Sequence, residues 1–341
     1  MDQDRLNGFS GAADFDFTPF RPRAPWWGGD LQTLRNFIIR IRPPLDAHPH
    51  ERLILPLGDG SGDRLSAALG RPRLPAGKRP LVLLIHGLSG EEDSFYMRRT
   101  AAHLLALGYP TLRVNLRGAG RSRPLCRGHY HAGKSDDLGL LLAALPPVLT
   151  EAGVAAVGYS LGANMLLKFL GERGAQSGLR AAVAVSVPLD LAGTARRMMR
   201  WRNAAYQGYL LRYMRAEAVA PIAAVTAEER RALRHAHSIW AFDDGFSAPR
   251  NGFTGAADYY ERNAARHFLA GITVPTLIIH ALDDPWIPAE PFLTFDWRKH
   301  PNLVPLISAH GGHVGFEGSD RRTAWHDLAT AQFLARIVSR P

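Results

Sequence analysis

Cysteine is almost absent: Cys126 is the only one in 341 residues. A single thiol excludes an internal disulfide and any cysteine-built zinc cage, and its setting in "PLCRGHY" gives it no nucleophile motif. Lysine is scarce too, occurring only at Lys78, Lys134, Lys168 and Lys299, so the formal net charge of +10 comes almost wholly from arginine. The arginines form no single dense run. With no Gly-rich phosphate loop, zinc-finger spacing or ribonucleoprotein motif beside them, nucleic acid is not an expected partner. No segment approaches the roughly 18 uncharged residues that a membrane span needs. The start, "MDQDRLNGFSGAADF", lacks the basic opening and apolar middle of a signal peptide. A soluble, cytoplasmic protein is the expectation. Disorder is not expected at a 46% hydrophobic composition, enough at this length to bury a full-size core.

What is present is an alternation of short apolar runs with longer helical patterns, the signature of crossover units on a mostly parallel sheet. "ERLILPL" and "RLSAALG" flank "GDGSGD" and predict an antiparallel hairpin at the start, in which the glycines serve the turn and cradle no phosphate. Strands follow at "LVLLIHG", "YPTLRVN", "GVAAVGYS", "AAVAVSV", "PTLIIHA" and "LVPLIS". Helices are expected at "YMRRTAAHLLALG", at "SDDLGLLLAALPPVL" with Ser135 as its cap, at "LGANMLLKFLGER", and from Ser319 to Ser339. Residues 1–187 form the first part of the core, 188–270 a helical insertion over the sheet, and 271–341 the remainder. Within the insertion, Met198, Trp201, Ala205, Tyr209 and Tyr213 fall near one helical face, which predicts a packed face opposite arginines. Those arginines also motivate an alternative in which the insertion touches an anionic membrane peripherally.

"AVGYSLGANMLLKFL" contains Gly158-Tyr159-Ser160-Leu161-Gly162, a G-x-S-x-G motif where a strand turns into a helix. A serine hydroxyl is a weak nucleophile at neutral pH, so it needs a histidine base, and the base needs a carboxylate to hold its tautomer. In the chain order serine, acid, histidine, the acid follows a late strand. "LDDPWIP" offers Asp283 and Asp284. Asp284 is preferred for its spacing to the Ile-Pro pair, with Asp283 capping the loop, Asp190 in reserve, and Asp243 and Asp244 more remote. "SAHGGHVGFEG" offers His313, preferred over His310 because it follows the paired glycines. Backbone N–H groups of Leu161, at the helix start, and Leu88, in "IHGLSG", are the expected oxyanion donors, with His86 and Gly87 shaping the turn. The pairs His129/His131 and His48/His50 lack a third ligand at a recognised spacing, so neither metal nor cofactor is expected.

A longer train of motifs, "PWWGGDLQTL", "HGLSGEEDSFYMRRTA", "NLRGAGRS", "YHAGKSDDL", "GYSLGAN", "FDDGFSAPRNGFTGAADYY", "LDDPWIP" and "HGGHVGF", resembles the α/β-hydrolase superfamily, in particular its YheT-like branch related to the ABHD1/2/3 esterases and lipases. The resemblance implies an α/β-hydrolase fold, a triad of Ser160, Asp284 and His313, and a cap containing "FDDGF…DYY". The reading is therefore a serine esterase acting on small-molecule carboxylic esters, acyl-lipid or medium-chain acyl esters among them. Acyl transfer by the same triad and a non-catalytic binding role on the same fold are the alternatives.

Overall fold

The run LVLLI, Leu81–Ile85, has no polar side, and such a strand is stable only where both its faces are covered. In the computed structural model, which describes residues 15–39, 45–73 and 77–338, it is strand β3 of an eight-stranded sheet. The other strands are β1 (His50–Pro56), β2 (Arg64–Gly70), β4 (Thr111–Val114), β5 (Val154–Tyr159), β6 (Leu179–Val185), β7 (Thr276–Ala281) and β8 (Leu303–Ser308). Their order is β1-β2-β4-β3-β5-β6-β7-β8. β2 runs antiparallel to both its neighbours, and every later pair is parallel. The helices of eight residues or more are α1 (Gly29–Ile38), α2 (Phe95–Ala106), α3 (Asp136–Ala143), α4 (Leu161–Arg173), α5 (Leu191–Met198), α6 (Ala204–Ala218), α7 (Ala227–His235), α8 (Ala256–Asn263) and α9 (Trp325–Val338). The N-terminal stretch read for a signal peptide, Phe15 excepted, and Ser339 lie outside the described residues.

Successive strand side chains alternate between faces, so the sheet separates two cores. Leu83, Ile85 and Ala156 pack with Met165, Leu166, Phe169 and Leu170 of α4. Val82, Leu84 and Val157 pack with Met97, Ala101 and Leu104 of α2 and with Phe333 and Leu334 of α9. This is the mixed sheet with an antiparallel start and helices on both faces that the sequence predicts. From β3 the chain moves to β4 on one side and returns to β5 on the other, which opens a crevice at the carboxyl ends of β3 and β5.

The aspartates of the "GDGSGD" turn bind protein. Arg117, buried after β4, reaches Asp59, Asp63 and Asp137, each at 2.7 Å. That cluster ties the hairpin turn to the start of α3.

Between β6 and β7 the chain leaves the sheet and builds α5 to α8 around their own cores. One contains Met198, Leu210, Leu211, Met214, Leu233, Phe242 and Phe246, with Leu88 and Trp286 packed against it from below. The expected packed stripe does not form. The helix breaks between Met198 and Trp201, which resets its phase, so Trp201 is 90% exposed and Tyr209 and Tyr213 are 43% and 44% exposed. The buried face of α6 is Leu210, Leu211, Met214 and Ala218. Two smaller expectations also change. Ser135 precedes α3 but makes no side-chain cap, because its Oγ donates to Glu172 at 2.6 Å. The closing helix starts at Trp325, whose N–H is taken by the Phe316 carbonyl at 3.0 Å, so residues 319–324 are not helical.

Candidate active site

β5 delivers Ser160 into a turn too tight for ordinary backbone: Ser160 stands at φ 50°, ψ −120° as the residue before α4. Neighbouring backbone comes close enough that only glycine fits on either side. A Cβ at Gly158 would lie 2.7 Å from the Ala163 Cα, and one at Gly162 would lie 2.3 Å from the His86 carbonyl oxygen. The strained turn lifts the hydroxyl out of the sheet toward the loops after β7 and β8.

The loop after β8 brings His313 to it, with Nε2 3.0 Å from Ser160 Oγ. The loop after β7 brings Asp284, whose Oδ2 lies 2.8 Å from His313 Nδ1. Asp284 is fully buried, and its Oδ1 accepts the N–H groups of Trp286 and Ile287 at 2.8 and 3.0 Å. Burial alone would raise its pKa. The charge and hydrogen bond of His313, followed by His280 and the Ile287 N–H, outweigh burial and hold the carboxyl below its ordinary range. An ionised Asp284 accepts from Nδ1–H, which leaves Nε2 as the acceptor that faces the serine hydroxyl. Trp286 stacks on the imidazole, ring centroids 4.2 Å apart.

The other carboxylates have separate work. Asp283 Oδ1 accepts the Gly312 N–H at 2.9 Å, and its Oδ2 lies 3.3 Å from Nδ1 of the exposed His310. Asp190 caps α5 through the Gly193 N–H, Asp243 accepts from the Tyr260 hydroxyl at 2.6 Å, and Asp244 accepts from the Ala256 N–H. His129 and His131 pack edge-on against Phe246 and Tyr259, and among the described residues no group of three or more His, Cys, Asp or Glu converges as a ligand set.

After β3 the loop carries His86, Gly87 and Leu88. Buried His86 accepts the Leu116 N–H on Nε2 at 3.0 Å and therefore donates from Nδ1 to the Gly87 carbonyl at 2.8 Å; desolvation brings its pKa down to about 4. The Gly87 N–H donates to the Tyr96 hydroxyl and the Ser89 N–H to the Tyr130 hydroxyl. Between those occupied amides, Leu88 N–H has no acceptor among the described residues, and neither has Leu161 N–H at the start of α4.

Ser160 borders two chambers. One, a cavity of about 120 Å³ under α5 and α6, is chiefly apolar, with Leu161, Leu191, Met198, Met214 and Phe246 in its wall. The other, about 640 Å³, opens between α1 and α6 past Phe37, Tyr209 and Tyr213. At the apolar chamber's edge, Glu217 accepts from the Tyr130 hydroxyl at 3.2 Å, and burial pushes its carboxyl up to about 7. The sequence alone gives no role to Tyr130, Trp286 or Glu217. The Tyr and Trp stand inside quoted motifs, "YHAGKSDDL" and "LDDPWIP", whereas nothing near Glu217 marks it for burial.

A family model described as alpha/beta hydrolase fold matches residues 80–320. The chain belongs to the α/β-hydrolase family. Within it, the putative esterase YheT of Escherichia coli is 32% identical over 92% of this hydrolase and 89% of its own length. Phospholipase ABHD3 of Mus musculus is 26% identical over 94% of this chain and 79% of its own. The medium-chain fatty acid ethyl ester synthase/esterase 2 of Saccharomyces cerevisiae is 28% identical over 76% and 62%. These relatives put the hydrolase in the YheT/ABHD-like branch. Among solved structures, the Pyrococcus furiosus esterase Pf2001 superposes with a TM-score of 0.58 at 16% identity, covering 94% of this chain and 98% of that one, a likeness of fold.

Glu217 carries a pH signature. Its folded-state pKa stands above its ordinary value of 4.5, so as pH rises from there to about 7 the unfolded chain releases a proton that the folded chain keeps, and stability is lost over that window. Thermal unfolding between pH 5 and 8 is expected to show Glu217→Gln gaining on the wild type as pH rises to about 7 and then holding a constant lead. Parallel curves would mean that Glu217 titrates alike in both states.

Proposed function

We propose that this hydrolase cleaves carboxylic esters, with Ser160 as nucleophile, His313 as general base and acid, and Asp284 as its orienting carboxylate. The observation that carries the reading is the unbroken chain of hydrogen bonds from buried Asp284 through His313 to Ser160 at the strained turn. The names of the relatives, esterase, phospholipase and ester synthase/esterase, support ester chemistry.

In the first half-reaction Ser160 Oγ attacks the acyl carbonyl carbon as its proton passes to His313 Nε2. The developing oxyanion is received by the Leu88 and Leu161 N–H groups, whose free donors and helix-start location suit a negative charge. Asp284 stabilises the imidazolium. Collapse breaks the ester C–O bond, and the alcohol leaves with the proton from Nε2. Water then gives a proton to His313 and attacks the acyl-enzyme, and the acid departs as Ser160 regains its hydrogen. The apolar chamber suits the acyl moiety and the wider one the alcohol. None of these steps calls for a cofactor or metal.

A lipid–water interface is the proposed place of work, by peripheral contact with anionic lipid. Phe37, Tyr209 and Tyr213 line the wider chamber, and Phe37 meets Tyr209 edge to face at 5.3 Å; Trp27, Ile38 and Trp201 are 62%, 64% and 90% exposed. Exposed Arg200, Arg202 and Arg212 flank them in a chain of net charge +10. Aromatic residues fringed by arginine suit the headgroup region of an anionic bilayer, and among the described residues no helix is long and apolar enough to cross one.

Turnover of p-nitrophenyl esters of increasing acyl length is expected in the wild type, with a fall of at least about 10³-fold in kcat for Ser160→Ala and for His313→Ala. Free acid is the expected product; a new ester formed from added alcohol would reassign the activity to acyl transfer. In co-sedimentation, phosphatidylglycerol vesicles are expected to carry the wild type down more than phosphatidylcholine vesicles do, and Trp201→Ser with Ile38→Ser to weaken this. Equal absence from both pellets would overturn the membrane reading.

A further inference from the structure

"PWWGGDLQTL" lies far along the chain from every group assigned to chemistry, yet its second half opens α1, and α1 lies against the loop that carries His313. Thr33 Oγ1 accepts the backbone N–H of His313 at 2.8 Å and donates to the Gly29 carbonyl at 2.7 Å. Its neighbour Gln32 grips the far end of the same loop. Gln32 Oε1 accepts the Glu317 N–H at 2.7 Å, and Nε2 donates to the Glu317 carbonyl at 3.2 Å and to the Trp26 carbonyl at 2.6 Å. Both side chains are buried. The Glu317 carboxylate is held by Arg35 of α1 at 3.0 Å and by Arg99 of α2. The backbones meet as closely: a Cβ on Gly29 would lie 1.8 Å from the Asp283 carbonyl oxygen, and one on Gly312 would lie 2.4 Å from the Gly29 carbonyl oxygen.

The histidine loop needs such support. Gly311, Gly312, Val314 and Phe316 all take positive φ, at 145°, 60°, 56° and 49°. For a β-branched valine and a phenylalanine this conformation is strained and persists only where surrounding contacts over-determine it. The Val314 N–H has Ser186 Oγ at 3.1 Å as one anchor. α1 supplies anchors on both sides of it, at His313 and at Glu317.

We propose that Thr33, backed by Gln32, is a positioning residue for His313: through the His313 N–H it fixes where the imidazole stands relative to Ser160, without touching the reacting atoms. This rests on the reading of His313 as the base. Thr33→Val deletes the hydroxyl and keeps the shape, so the His313 N–H loses its acceptor and the loop is free to drift. Misplacement of a reacting group by about 1 Å costs on the order of 10²-fold in rate.

The test measures kcat and KM for p-nitrophenyl ester hydrolysis by wild type, Thr33→Val, Thr33→Ser, Thr33→Ala and His313→Ala, with Tm for each. The expected result is a fall of roughly 10- to 100-fold in kcat for Thr33→Val at nearly unchanged KM, with Thr33→Ser restored to near the wild-type rate. Thr33→Ala gives the same fall and serves if the valine variant does not fold. Wild-type kcat in folded Thr33→Val or Thr33→Ala beside an inactive His313→Ala would overturn the positioning role and leave the triad standing. An active His313→Ala would remove the triad reading, and this inference with it.

Discussion

Ser160 is held at φ 50° and ψ −120°, and the rest of the site is arranged to keep it there. An L-residue pays for that conformation, so it must be over-determined from both sides. The Ser160 N–H bonds to the Val185 carbonyl at the end of β6, its carbonyl accepts the Asn164 N–H in the first turn of α4, and Gly158 and Gly162 let adjoining backbone close in. Fully covered parallel strands supply the stiffness. A strand that could shift or twist would let the turn relax and withdraw the hydroxyl from His313.

The same economy governs the charges. Asp284 has no solvent, yet it remains ionised because two backbone N–H groups and the imidazole are aimed at it. In so dry a setting an imidazolium formed during the proposed reaction would gain more from that carboxylate than it could in water. The Glu217 carboxylate, by contrast, meets a tyrosine hydroxyl, and neither that contact nor the charge of Arg123 outweighs burial, so it holds its proton toward neutrality. Through Tyr130 and the Ser89 N–H it connects α6 to the loop beside Leu88. α6 and the loop proposed to receive the oxyanion are thus physically joined.

The sheet is legible because its parallel strands are short and chiefly apolar and the hairpin strands flank a Gly/Asp-rich turn, and all of them fall where the runs predict. The candidate site was legible for a related reason. Ser160, Asp284 and His313 each follow the carboxyl end of a parallel strand, so all three share one edge of the sheet, and the geometry places them in hydrogen-bond contact. What escaped was set by tertiary context. The face of α6 depends on a break between Met198 and Trp201 that periodicity does not reveal, so Trp201 and Tyr209, which an unbroken helix would pack, face outward. Ser135 has a cap's sequence signature but was drawn to Glu172 on α4, a partner distant in sequence. The role of Gln32 and Thr33 was invisible because their partners lie some 280 residues later in the chain.

Covalent trapping asks whether Ser160 is the one activated nucleophile of the folded protein. Folded protein would be treated with a fluorophosphonate, digested and mapped by mass spectrometry. A single stoichiometric adduct on the peptide that carries Ser160, lost in His313→Ala, is the predicted result. An adduct on another residue, or none on folded wild type, would contradict it.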